Sequence, residues 1–132
     1  MARKLFFGAV SPNRPVLIGL RASRFRDEMS GWIQGQGFEP FVADTGRLAV
    51  DWLRGRPEAV SFLDRDLPGC EGEEVWRVVR PDRAIARRLV LMAEHRSTDL
   101  WMKALADGVA SVLPLPAERD VVLVALRLVT RD

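Results

Sequence analysis

Five apolar runs of strand length alternate with five helical patterns along this chain, and that alternation constrains the fold more than any other feature. The runs are "PVLIGL" (15–20), "FEPFVA" (38–43), "AVSFLD" (59–64), "RLVLMA" (88–93) and "ASVLPL" (110–115). Between them lie stretches with apolar residues at helical spacing. Phe25, Met29, Trp32 and Ile33 fall together in "SRFRDEMSGWIQGQG" (23–37). Leu48, Trp52 and Leu53 share a face in "TGRLAVDWLRG" (45–55), where Gly55 marks a stop. Val75, Val78 and Val79 group in "EGEEVWRVVR" (71–80), whose acids lie at the end the helix dipole favours. "STDLWMKALADG" (97–108) and "AERDVVLVALRLVTR" (117–131) complete the set. Pro40 places the second strand near a sheet edge.

Strands alternating with helices imply βαβ units, and hence a parallel sheet covered on both faces. The expected fold is a doubly wound α/β domain with five parallel strands and five helices. In such sheets the functional crevice lies beyond the carboxyl ends of the strands. Arg21, Asp64, Ala93 and Leu115 are the residues to inspect there.

With 132 residues, the chain suffices for one domain with a full core. The expected division is an extension at 1–14 and a domain at 15–132. A net charge of +2 argues against a nucleic-acid footprint. The single cysteine, Cys70, permits no disulfide within the chain, which suits a reducing cytoplasm. No apolar run approaches the roughly 18 residues that span a bilayer, so no membrane role is expected. The opening "MARKLFFGAV" has the basic start of a signal peptide, but its short apolar run breaks at "SPNRP". It reads instead as a cytoplasmic protein's N-terminal extension, available to pack on the domain or on another subunit.

The third strand leads into "FLDRDLPGCEG" (62–72). Asp64 ends the apolar run, and Leu67-Pro68 and Glu71-Gly72 follow at fixed intervals. Together with the alternation, this stretch resembles the receiver domain of bacterial response regulators, which is CheY-like. Asp64 then matches the phosphorylated aspartate. "ADTGRLAVDWL" resembles the family's second helix with Ala43, Gly46 and Ala49 in place. "KALADGVASVLPLP" resembles the fourth helix and fifth strand with Ala104, Gly108 and Pro116 in place. The resemblance spans residues 15 to about 131.

The departures from that pattern concern the phosphorylation site. The resemblance implies two acids after the first strand that hold Mg²⁺; here they are Leu20 and Arg21. It implies a hydroxyl after the fourth strand; here the candidates are Met92 and Ala93. It implies a lysine before the proline after the fifth strand; here that residue is Leu115. Val112 replaces a frequent aromatic. Asp66 matches a position that offers its main-chain carbonyl. A carboxylate attacking a phosphoryl donor brings two anions together, and the metal and the lysine neutralise that charge. Asp64 without them is an unactivated carboxylate, a relic or an ion-pair partner. Arg21, or failing that Arg65, is expected within ion-pair distance of it, with no metal in the pocket.

Other candidates carry less. His95 is the only histidine, and Cys70 has no histidine near it in sequence. No P-loop or G-x-G-x-x-G follows a strand. Three tryptophans, Trp32, Trp52 and Trp76, suit core packing. Trp101 is an interface candidate, as is Leu126 on the last helix, which is apolar nearly all round.

The expected function is therefore an atypical receiver of a two-component or phosphorelay system. It acts as a phosphorylation-independent protein-interaction module, without enzymatic activity or cofactor. Its partner would be a sensor kinase or other signalling protein, or a second copy through the fourth and fifth helices. One alternative is a receiver phosphorylated at Asp64; another is a small flavodoxin-like ligand binder.

Overall fold

The computed structural model describes residues 14–69, 75–79, 81–94 and 98–130. Five strands form one parallel sheet: β1 (Arg14–Gly19), β2 (Phe38–Ala43), β3 (Val60–Asp64), β4 (Leu89–Ala93) and β5 (Ser111–Pro114). Their order is β2-β1-β3-β4-β5, so β2 with its Pro40 is an edge, as the sequence implies. Pro40 has no N–H to leave unpaired there.

The helices are α1 (Arg24–Gly35), α2 (Gly46–Arg54), α3 (Val75–Val79), α4 (Arg83–Ala86), α5 (Thr98–Ala106) and α6 (Arg119–Thr130). The described residues thus contain six helices where the sequence implied five. The extra one is the single turn α4. Pro81 cannot continue a helix, and the Asp82 carboxylate then caps a new one, accepting from Ala84 N at 3.0 Å and Ile85 N at 3.4 Å. Ser23 and Thr45 cap α1 and α2 in the same way, from Arg26 N and Leu48 N. Gly108, at φ +90°, ends the turn after α5 in the left-handed region that favours glycine.

Alternation along the strands divides the core in two. Leu17, Leu63 and Leu91 face α2 to α5, with Trp76 and Leu53 packed on them. Val16, Ile18, Phe62, Val90 and Met92 face α1 and α6, against Met29, Ile33, Val122 and Leu126. Each fully buried large apolar side chain contributes about 1.5–3 kcal/mol. Leu48 does not join this core. It is exposed, and α2 buries Ala49, Val50 and Leu53 instead. That face turns about one position away from the one the spacing suggested, and its Gly46 end lies against the loop after β3.

That loop is held in place. Pro68 O accepts from Gly46 N at the start of α2. Gly69, at φ +102°, follows it, and a Cβ there would lie 3.1 Å from Thr45 Cβ. The Leu-Pro-Gly turn thus needs glycine for both conformation and space. Gly19, at the end of β1, admits the Leu63 side chain, which would lie 2.4 Å from a Cβ.

Candidate functional site

Asp64 closes β3 and is 6% exposed. Its register partner on β4 is Met92, while Gly19 pairs with Leu63 and so sets Leu20 beside Asp64. Leu20 and Met92 are both buried in the cluster that faces α1 and α6, and half-buried Leu115 packs against it. The positions for which the resemblance implies an acid, a hydroxyl and a lysine are therefore filled by hydrocarbon on the face that Asp64 shares. The register puts Met92, not Ala93, opposite Asp64; Ala93 packs on the other face. The Leu115–Pro116 peptide is cis, and Leu115 N donates to Ala93 O at 3.1 Å.

The Asp64 carboxylate is satisfied locally. Oδ1 accepts from Asp66 N at 2.8 Å, a two-residue turn typical of aspartate. Arg65 N donates to Met92 O at 2.8 Å and continues the β3–β4 ladder into the loop. Burial between apolar neighbours pushes the Asp64 carboxyl above the ordinary aspartate range. The Asp66 N–H bond and the Arg21 charge pull it back, while the charges of Asp66 and Glu94 raise it further.

Arg21 does not make the expected ion pair with Asp64. Its Nη2 donates instead to the main-chain carbonyl of Asp66, at 2.7 Å. Arg21 is exposed, whereas Asp64 is buried on the central strand, between the strand ends that carry Leu20 and Met92. Burying the guanidinium against it would cost more hydration than the pair returns. A second arginine acts similarly: Arg26 Nη1 donates to Leu20 O at 3.0 Å. Sequence reasoning missed Arg26; its place in the first turn after the Ser23 cap was the available signal.

The resemblance implies Mg²⁺ at this pocket, and the residues present do not fit it. Mg²⁺ demands near-octahedral oxygen ligands. Here Asp64 offers one carboxylate, and the Asp66 carbonyl already accepts from a cation. Among the described residues no group of three His, Cys, Asp or Glu side chains is placed to hold a metal.

Of the interface candidates, Trp101 is 53% exposed on α5, but Leu126 is 2% exposed and belongs to the core. The α6 residues that face solvent are Val121, Val124 and Leu128. Four buried residues, Val122, Ala125, Leu126 and Val129, form the packed stripe, which leaves the others outside. Trp76 is buried, while Trp32 and Trp52 are half-buried. Phe41 stacks on Trp52 at 5.1 Å, and Arg56 lies 4.8 Å over the same ring, an arrangement the sequence reading did not anticipate. Two open grooves, of about 580 and 690 Å³, lie away from Asp64; one is lined by Arg88, Ser111 and Leu128, the other by Arg83, Ala106 and Gly108. Cys70, Glu71, Gly72, His95 and the extension at 1–13 lie outside the described residues. No described helix is long and apolar enough to cross a membrane.

No family model and no curated protein matches the sequence. Solved structures do match. The signal receiver domain of a putative LuxO repressor protein from Vibrio parahaemolyticus shares 20% identity at a TM-score of 0.74, covering 90% of each chain. The receiver domain of the putative response regulator NarL from Mycobacterium tuberculosis shares 22% identity at 0.73, covering 92% of this chain and all of the other. The beryllofluoride-activated NtrC4 receiver domain dimer shares 19% at 0.75, covering 88% of this chain and 95% of the other. The likeness is one of fold: this chain is built on the architecture of the response-regulator receiver domain.

Proposed function

We propose that this chain is an atypical receiver domain of bacterial two-component signalling, a protein-interaction module whose output does not pass through Mg²⁺-dependent phosphorylation of Asp64. The observation that carries this reading is the composition of the strand ends. Asp64 lies between Leu20 and Met92, and a guanidinium occupies the Asp66 carbonyl. Phosphoryl transfer to a carboxylate depends on cations that neutralise the equatorial oxygens and align the donor. This pocket supplies no metal ligand set and no lysine at Leu115. Its carboxylate accepts from the Asp66 main-chain N–H and has no metal to activate it in this reading.

The surface suited to a partner flanks β5. On one side Trp101, Met102 and Leu105 of α5 are exposed; on the other, Val121, Val124 and Leu128 of α6. Aromatic and long apolar side chains of this kind anchor protein interfaces. The partner is a cytoplasmic signalling protein such as a sensor kinase, or a second copy of the chain; the NtrC4 receiver domain is described as a dimer.

The test is the intact mass of the chain after treatment with acetyl phosphate and Mg²⁺. The expected mass is unchanged under conditions that label an ordinary receiver. Stoichiometric labelling that disappears in Asp64→Asn would replace this reading with that of a working phosphate acceptor.

A further inference from the structure

We infer that the Arg21 guanidinium is the resident cation of the strand-end pocket: it takes the place of a divalent ion on the Asp66 carbonyl and closes the pocket to such an ion. This rests on the receiver reading above and adds which residue enforces it.

The geometry supports substitution of one cation by another. Arg21 Nη2 lies 2.7 Å from Asp66 O, the length of a strong charge-assisted hydrogen bond. Asp66 N in turn donates to Asp64 Oδ1 at 2.8 Å. The guanidinium thus holds the carbonyl of the residue whose N–H holds the carboxylate. The two oxygen types that a metal would draw together are already organised without one. Arg26 Nη1, on Leu20 O at 3.0 Å, occupies the carbonyl of the neighbouring strand end as well.

Charge does the excluding. A guanidinium stays protonated across the accessible pH range. A divalent ion entering beside it would meet repulsion and, among the described residues, no group of three ligating side chains to offset its dehydration. The tether also fixes the loop. Its start is bound through Arg65 N to Met92 O, its middle through Asp66 O to Arg21, and its end through Pro68 O to Gly46 N. The loop therefore keeps one arrangement whether or not Mg²⁺ is present. An aspartate at position 21 would remove the cation and supply a second carboxylate at the same strand end. A lysine would keep the charge and lose only the fork shape.

The experiment is thermal melting of the full chain with about 10 mM MgCl₂ against NaCl of equal ionic strength, with Mg²⁺ titrated over the millimolar range. The parent and Arg21→Lys are expected to show no Mg²⁺-specific change in Tm. Arg21→Asp is expected to gain a saturable rise with a midpoint of about millimolar, and Arg21→Asp combined with Asp64→Asn to lose it. Arg21→Gln, which only removes the charge, is expected to respond more weakly than Arg21→Asp and serves if the latter fails to fold by circular dichroism. A parent that responds like Arg21→Asp would overturn the inference. So would folded Arg21→Asp and Arg21→Gln variants that both ignore Mg²⁺, since Arg21 would then not be what closes the pocket. That second result leaves the phosphorylation-independent reading standing, because the acetyl phosphate mass measurement on the parent decides that reading separately.

Discussion

Arg21 and Asp66 meet through a guanidinium and a main-chain carbonyl, 2.7 Å apart, and not through their charges. The contact joins the end of β1 to the loop after β3, across 45 residues of sequence. It leaves the Asp66 side chain exposed and the Asp64 carboxylate to the Asp66 N–H. A cation that binds a carbonyl imposes position without neutralising the neighbouring acid. Asp64 is thereby ordered, and burial pushes its carboxyl above the usual aspartate range, although the Asp66 N–H bond and the Arg21 charge pull it part of the way back.

Replacing that acid should stabilise the domain in a pH-dependent way. A carboxyl whose folded-state pKa is raised contributes stability fully below its unfolded pKa and loses it as pH rises through the folded value. The Asn side-chain oxygen in Asp64→Asn still accepts from Asp66 N but carries no charge. The variant should melt higher than the parent at neutral pH, and the two should converge toward about pH 3, where both carboxyl states are protonated. Melts across that range check this; a variant less stable than the parent at neutral pH would reverse the sign.

Gly69→Ala should destabilise the fold by about 1–2 kcal/mol from backbone conformation alone, with a further loss from crowding against Thr45. Gly37→Ala is the comparison, since Gly37 has φ +91° but nothing within 4 Å of an added Cβ. Denaturant midpoints should show Gly69→Ala as the more damaging of the two. Equal losses would mean that the contact of the loop with α2 is slack.

Ser61 is fully buried on β3, and its hydroxyl has no hydrogen-bond partner among the described residues. An unsatisfied buried hydroxyl costs about 1–3 kcal/mol. Ser61→Ala deletes the hydroxyl and almost no volume, so stability should stay level or rise by about 1 kcal/mol. Urea unfolding measures it, and a clear loss would show that the hydroxyl is bonded in solution.

The alternation of runs made the sheet legible. Phe38–Ala43 is a strand over the span the sequence indicates, because an apolar run of strand length follows the glycines that end the first helical pattern. Asp64 was legible as the end of β3 for the same reason. The turn of α4 was not: four residues after Pro81 are too few for a periodic signal, and only the Asp82 cap hinted at it. Leu126, an interface candidate by sequence, is buried instead; α6 is apolar nearly all round. Composition cannot choose which stripe faces the sheet, and packing on α1 chose it. The Arg21 contact was half legible. Charge and strand-end position pointed toward Asp64, but the sequence does not reveal that a main-chain carbonyl stands nearer to solvent than the carboxylate does.

The exposed residues beside β5 set a test of association. Trp101→Ala and Leu128→Asp should reduce self-association by about tenfold or more each, the scale of an interface hot spot. Leu126→Asp should instead unfold the domain, since Leu126 is buried. Light scattering with circular dichroism separates the two effects. A parent that is strictly monomeric, with both surface variants unchanged in mass, would remove self-association through this face from the account.

The most direct measurement of the central claim is the amide nitrogen–proton NMR spectrum of the isotope-labelled chain, recorded before and after adding Mg²⁺ and then acetyl phosphate. If Arg21 already serves as the cation and Asp64 accepts no phosphoryl group, the Arg65, Asp66 and Leu67 amides keep their positions through both additions. Movement of these three with saturable Mg²⁺ dependence, followed by a second set of peaks on adding acetyl phosphate, would contradict it and make the pocket a working phosphorylation site.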